Sequence, residues 1–192
     1  MYKNIILSSF LLLFLSSTLF FNNSYAAVIH AEKNKSVIRY KLVHPLHTVD
    51  AVSKDINCDV TYDDSSYKIT GVSVSADVLS FDSGNSNRDS HMGEVVDALD
   101  YPTVSFKSDT VKSITKDTLW VEGSLDFHGV TKPVDFKVAE SFQSGETEFK
   151  GIFYISLTEF KIKRPTLLLM PVEDKLTLTF DMVVPKVLEK GT

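Results

Sequence analysis

The feature that most constrains this chain is an alternation of apolar and polar residues that recurs from Val37 to Met182. Ile38, Tyr40 and Leu42 alternate with Arg39 and Lys41, and Ile56, Cys58, Val60 and Tyr62 share one parity. Val72, Val74, Ala76 and Val78 form another such set, followed by Leu119, Val121, Leu125 and Phe127, and finally Leu176, Leu178, Phe180 and Met182. Successive side chains of a strand point to opposite faces, so each segment reads as a half-buried strand. The pattern gives about eight strands at short spacing, with no strand–helix–strand rhythm. The expected fold class is therefore all-β and antiparallel. A closed barrel removes the exposed edges that an open sheet would leave. Periodicity alone leaves a β-sandwich open as the alternative.

The alternation is interrupted once, between Ser80 and Pro102. Asp82 to Asn87 is a loop by composition. Asp89 or Ser90 is the expected cap of a short helix, with Glu94 in its first turns. Met92, Val95, Val96 and Leu99 follow the i, i+3, i+4, i+7 spacing of an apolar helix face, and Tyr101-Pro102 stops it. One short helix between strands reads as a lid or plug over one barrel end. A second punctuation is His128-Gly129-Val130-Thr131-Lys132-Pro133. Gly129 permits positive φ, and Pro133 is expected to open the next strand.

The first 26 residues read as a signal peptide. Lys3 precedes an apolar run from Ile5 to Phe21, and Ser24-Tyr25-Ala26 supplies the small residues a signal peptidase needs. Residues 27–192 are then one barrel domain, periplasmic or secreted. An uncleaved membrane anchor is the alternative, since the run is long enough for a thin bilayer. Residues 1–26 hold one charged residue, Lys3, so the mature chain has 19 basic against 25 acidic residues, a net charge of −6. That sign disfavours nucleic acid and anionic surfaces. Cys58 is the only cysteine. It excludes an internal disulfide, and its place in the alternation makes it a small core residue.

The residues able to do chemistry are few. Arg88 could grip a phosphate or carboxylate head group bidentately, or pair structurally with a nearby carboxylate while Asp89 caps the helix. His44 and His47 stand three apart, with His91 and His128 elsewhere. Zinc would need three of them to converge, and no helical His pair exists, so no metal ligand is assigned. No Gly-x-Ser-x-Gly, P-loop or paired carboxylates are present, so no catalytic residue and no cofactor is assigned. Leu167-Leu168-Leu169-Met170, between Pro165 and Pro171 and just after Lys163 and Arg164, is too apolar for a plain exposed loop. It is either a loop folded over the core or a portal that contacts lipid.

The segments SFDSGNSNRDSHM, ALDYPTVSF and GSLDFHGVTKPVDF, in that order, resemble the YceI-like family of secreted lipid-binding proteins. The resemblance implies a lipocalin-like closed antiparallel barrel whose apolar channel takes an isoprenoid or fatty-acyl chain. It implies a carrier rather than an enzyme. The partner would be an amphiphilic lipid, with the oligomeric state open and a dimer among the forms to expect. The cavity wall would include Phe106, Leu125, Phe127, Phe136, Phe153 and Leu178. Arg88, His91, Arg164 and Leu168 would serve a head group or portal. Two alternatives stand beside this: a metal- or His-dependent hydrolase, and a structural or stress-response barrel packed solid with side chains. The chain departs from the family where many members carry Gly-x-Phe after the first strand, having His47 to Lys54 there. It departs again where many members carry a Gly after a late Arg-Asp-Phe motif, having Thr158 to Pro165 there, followed by the leucines. The mouth of the cavity is expected to differ accordingly.

Overall fold

The computed structural model describes residues 26–185. Apart from Ala26, the expected leader lies outside the described residues. Within them no helix is long and apolar enough to cross a membrane.

Twelve strands and one α-helix follow in chain order. They are β1 (Ala26–His30), β2 (Val37–His44), β3 (His47–Ser53), β4 (Ile56–Asp63) and β5 (Ile69–Asp77). Then come α1 (Ser86–Val95), β6 (Thr103–Thr115), β7 (Thr118–Phe127), β8 (Val130–Gln143) and β9 (Glu146–Ser156). The last are β10 (Thr166–Leu167), β11 (Met170–Pro171) and β12 (Lys175–Pro185). All except β10 and β11 form one sheet in the order β1-β4-β5-β6-β7-β8-β9-β12-β2-β3.

The alternation does what a two-residue period must. On β4, Ile56, Cys58, Val60 and Tyr62 are all buried, and on β7 so are Leu119, Val121 and Leu125. One cluster gathers these with Phe106, Phe136, Phe149, Leu176, Met182 and Val184. The sheet therefore curls its apolar face inward around this core, with a smaller cluster of Ala51, Ala76 and Phe81 beside it.

Ten strands stand in this sheet where the alternation indicates about eight. The added strands are β1 and β3, and they are its two edges. No ladder joins them. Edge strand β3 is tied instead to the segment between β5 and α1, by a single antiparallel bridge between Val52 and Asp82 closed by two N–H···O bonds of 2.9 Å. The wall is thus a curled half-barrel, sealed by loop contacts rather than by a continuous ladder. At the far end the β1–β2 connection seals β12, with Glu32 N–H donating to Val183 O and Val183 N–H to Ser36 Oγ.

Three local expectations are corrected. The helix is capped by Asn85, whose side chain accepts the Arg88 N–H, and not by Asp89 or Ser90. Asp89 sits in the first turn and instead accepts from Ser83. Leu99 was expected on the apolar helix face and is 93% exposed. The helix ends at Val95, and Asp97 at φ 47° turns the chain before Leu99 can face inward. Pro133 lies within β8, opposite Ser124, rather than opening it. It is tolerated because the β8–β9 ladder runs only from Val138 to Gln143, so the missing N–H faces no partner strand. Phe160, 1% exposed, and Ile162, 2% exposed, lie on a 3₁₀ turn and its exit that contact both β8 and β9.

Candidate ligand cavity

Inside the curl is a cavity of about 430 Å³. Two glycines help bring its large rings to their places. A Cβ on Gly123 would fall 2.6 Å from Phe106 Cζ, and one on Gly151 would fall 2.3 Å from Phe180 Cζ. The rings then make a continuous aromatic wall. Phe136 stacks on Phe153 at 4.8 Å between centroids, meets Phe106 at 5.3 Å and meets Phe180 edge-on at 5.6 Å. Such offset and edge contacts are the preferred aromatic geometries.

The helix closes one side of this space. Val78–Ser80 forms a 3₁₀ turn after β5, and α1 packs so closely on it that a Cβ on Gly93 would lie 2.7 Å from Leu79 Cδ2. Met92, Val95 and Val96 are thereby presented to the cavity, with Arg88 and His91 one turn earlier.

All six of the expected wall residues, Phe106, Leu125, Phe127, Phe136, Phe153 and Leu178, line the cavity. Arg88 and His91 touch it as well. Arg164 and Leu168 do not; Pro165, Thr166 and Leu167 beside them do. The reason is the β10–β11 hairpin, which turns Leu168 outward while its first strand faces in. Val121, Cys58 and Met92 also line the cavity. Cys58 and Val121 were legible from strand parity, because residues of one parity share one face.

The polar groups on the cavity are few, and two of them, Arg88 and His44, are held by hydrogen bonds. Arg88 donates from Nε to Ser83 Oγ at 2.8 Å and from Nη2 to Ser83 O at 2.6 Å, so its partner is a loop residue and not the carboxylate the sequence suggested. Burial, with the nearby Asp89 charge, pushes the Tyr40 hydroxyl up to about 12, while Arg88 pulls the other way. Burial likewise pushes the Cys58 thiol up to about 12, so it stays an unreactive thiol at neutral pH. Among the described residues no Asp or Glu lines the cavity.

The four histidines considered as metal ligands separate into two groups. His44, His47 and His91 border the cavity. His44 and His47 lie ring to ring at 5.0 Å. His44 Nδ1 accepts the Leu46 N–H at 3.1 Å, so its Nε2 carries the proton and donates to Met170 O at 3.0 Å. His128 is elsewhere, bridging Phe160 O at 2.9 Å and Asp97 Oδ2 at 3.1 Å. Among the described residues no group of three or more His, Cys, Asp or Glu is placed to hold a metal.

Comparison with known proteins agrees with this architecture. The sequence matches the YceI-like domain over residues 30–184. It is 29% identical over 146 residues to a UPF0312 protein of Pseudomonas putida strain GB-1, covering 71% of this chain and 76% of that one. Among solved structures, BcnA of Burkholderia cenocepacia superposes with a TM-score of 0.72 at 20% identity, covering 80% of this chain and 98% of that one. A polyisoprenoid binding domain from Saccharophagus degradans, implicated in plant cell wall breakdown, superposes with a TM-score of 0.64 at 10% identity, covering 85% and 100%. With a curled antiparallel wall, one lid helix and a domain match across nearly all of the described residues, this chain belongs to the YceI-like family.

Proposed function

We propose that this protein is an exported carrier that holds one amphiphile, an isoprenoid or fatty-acyl chain with a polar head, and that it is not an enzyme. The observation that carries this reading is the cavity of about 430 Å³ whose wall is apolar and free of carboxylates. Ligand pockets occupy about 300–1,000 Å³. Each buried methylene contributes about 0.8 kcal/mol, so an alkyl or prenyl tail binds there without any special residue. A void of this size counts against a barrel packed solid with side chains. The Saccharophagus neighbour, described as binding polyisoprenoid, supports the same ligand class.

The tail would lie against Phe106, Leu125, Phe127, Phe136, Phe153 and Leu178. The head would meet Arg88, His91 and the Tyr40 hydroxyl at the lid. Arg88 is already oriented by Ser83, which lowers the entropy lost on gripping an anion. Export rests on the leader-like residues 1–26. Cleavage after Ala26 leaves Ala27 to His30 of β1 paired to β4, so the mature N-terminus keeps its ladder.

Native mass spectrometry of protein purified from cells tests the proposal. The expected result is a mature chain beginning at Ala27 with one lipid-sized adduct. Val121→Trp, which fills the cavity from its wall, should lose that adduct while remaining folded. A chain that emerges empty, and takes up no lipid offered in solvent, overturns the carrier reading.

A further inference from the structure

The outward face of the β10–β11 hairpin has no role in the cavity. Leu167 of β10 pairs with Met170 of β11, which leaves Leu168 and Leu169 as a two-residue turn. Their φ angles are 51° and 65°. Two-residue hairpins of this kind favour Asn-Gly or Asp-Gly because both central residues need positive φ. Leucine is a poor choice there, and a bulky residue in this region is an outlier that persists only when its surroundings impose it. Here the base imposes it. Val172 N–H donates to Pro165 O, Glu173 N–H donates to Val43 O, and His44 Nε2 holds Met170 O. The consequence is that Leu168 and Leu169 stand 74% and 98% exposed on a hydrogen-bonded stem.

The tip is not alone. His44 also accepts the Leu46 N–H, so the β2–β3 turn lies against the hairpin, and Leu46 is 56% exposed. Leu167, itself 48% exposed, lines the cavity together with Pro165 and Thr166. An apolar projection thus adjoins the cavity at the side where its wall meets solvent.

We infer that Leu168 and Leu169 form a docking tip that inserts into a lipid surface and brings the cavity beside it, so that a bound chain passes between membrane and protein. This rests on the carrier reading for its purpose, though not for its geometry. A lipid surface fits better than a second copy of this chain. Two residues on a convex turn cannot cover the roughly 800 Å² per partner that a stable protein interface needs, whereas a fluid interface accepts a small apolar wedge. Charge does not drive the contact. Lys161, Lys163 and Arg164 precede the hairpin, Glu173 and Asp174 follow it, and the whole chain is net negative. Insertion should therefore occur on zwitterionic lipid and depend little on salt.

The test uses the mature chain and phosphatidylcholine vesicles in a flotation gradient. The comparison variant is Leu168→Asn with Leu169→Gly, which supplies the residues this turn geometry prefers and so keeps the hairpin. The unaltered protein should float with the vesicles, nearly unchanged at about 0.5 M salt. The double variant should bind about tenfold more weakly or less, with no loss of thermal stability. Equal flotation of the two proteins, or no flotation of the unaltered one, overturns the inference. So does a variant that floats normally but sediments as a smaller species, since the tip would then cover a second copy. Uptake of cis-parinaric acid from ethanol by the unaltered protein tests the carrier reading separately, because that ligand arrives without a membrane.

Discussion

The turn at His128-Gly129 and the turn at Leu168-Leu169 both join antiparallel strands through two residues of positive φ, at 51° and 67° in the first and 51° and 65° in the second. The first is built into the fold. His128 is bonded to Phe160 O and Asp97, and its ring lies 4.9 Å from that of Tyr101. Glycine is needed twice over, for its φ and because a Cβ would sit 2.5 Å from the Tyr101 ring. In the second turn no glycine relieves the backbone, and both side chains point away from the protein. A third turn of this type, Ser144-Gly145, has no neighbour within 4 Å of a Cβ built on its glycine. A pair of positive-φ residues thus serves packing in one place, simple chain reversal in another, and outward display in the third. Local conformation does not disclose a turn's purpose; what its side chains touch does.

This contrast can be broken by mutation. The largest effect should come from Phe160→Ala, which removes the buried side chain beside the His128 turn. Truncations of this kind cost about 3–5 kcal/mol, read as a fall in unfolding midpoint under denaturant. Next is Gly129→Ala, with the left-handed strain of about 1–3 kcal/mol plus the collision with Tyr101. Gly145→Ala should show the strain alone, at about 1–3 kcal/mol without the added collision. If the two glycine variants are equally destabilised, the Tyr101 contact contributes nothing and the distinction between those turns collapses.

Smaller still, and of opposite sign, is Leu168→Asn with Leu169→Gly. Relief of the left-handed leucines should leave stability unchanged or raise it by up to about 1 kcal/mol in thermal melts. A marked loss would mean that the leucines pack on the protein after all. The smallest effect concerns pH at the hairpin's exit. Hydrogen bonds from Ser156 and then Thr158 hold the Asp174 carboxyl below its ordinary value. A group depressed on folding stabilises above the unfolded pKa and loses that contribution as pH falls through the folded value. Melts at neutral pH and near pH 3 should therefore show a slightly steeper acid loss for the natural chain than for Asp174→Asn.

Much of the wall was legible from sequence because strand parity is a local property. Ile56, Cys58, Val60 and Tyr62 could only face one way once β4 was extended, and the same held for Leu119, Val121 and Leu125. β3 escaped because Val49 is the one large apolar residue among its inward positions, the others being His47, Ala51 and Ser53. Ala51 and Ser53 are buried, and the Ser53 hydroxyl accepts the Asp55 N–H at 3.2 Å and bonds Ser80 Oγ, 27 residues away, at 2.6 Å. β1 escaped because it begins at Ala26, the last residue of the leader-like segment, and runs on directly from it. Leu99 fits a helical period that the chain abandons one turn too early.

What residue order by itself determined is which side chains are apolar, where the alternation stops, and hence an antiparallel wall with a single lid. The cavity was decided in three dimensions. It is the space left where Phe106, Phe136, Phe153 and Phe180 meet across strands far apart in sequence, and the curl of the sheet sets how far their rings reach. The conformation of Leu168 and Leu169 was decided there too. Leucine avoids positive φ when only its neighbours in sequence act on it, and bonds from Val43 and His44, more than 100 residues earlier, hold the hairpin base that forces it there.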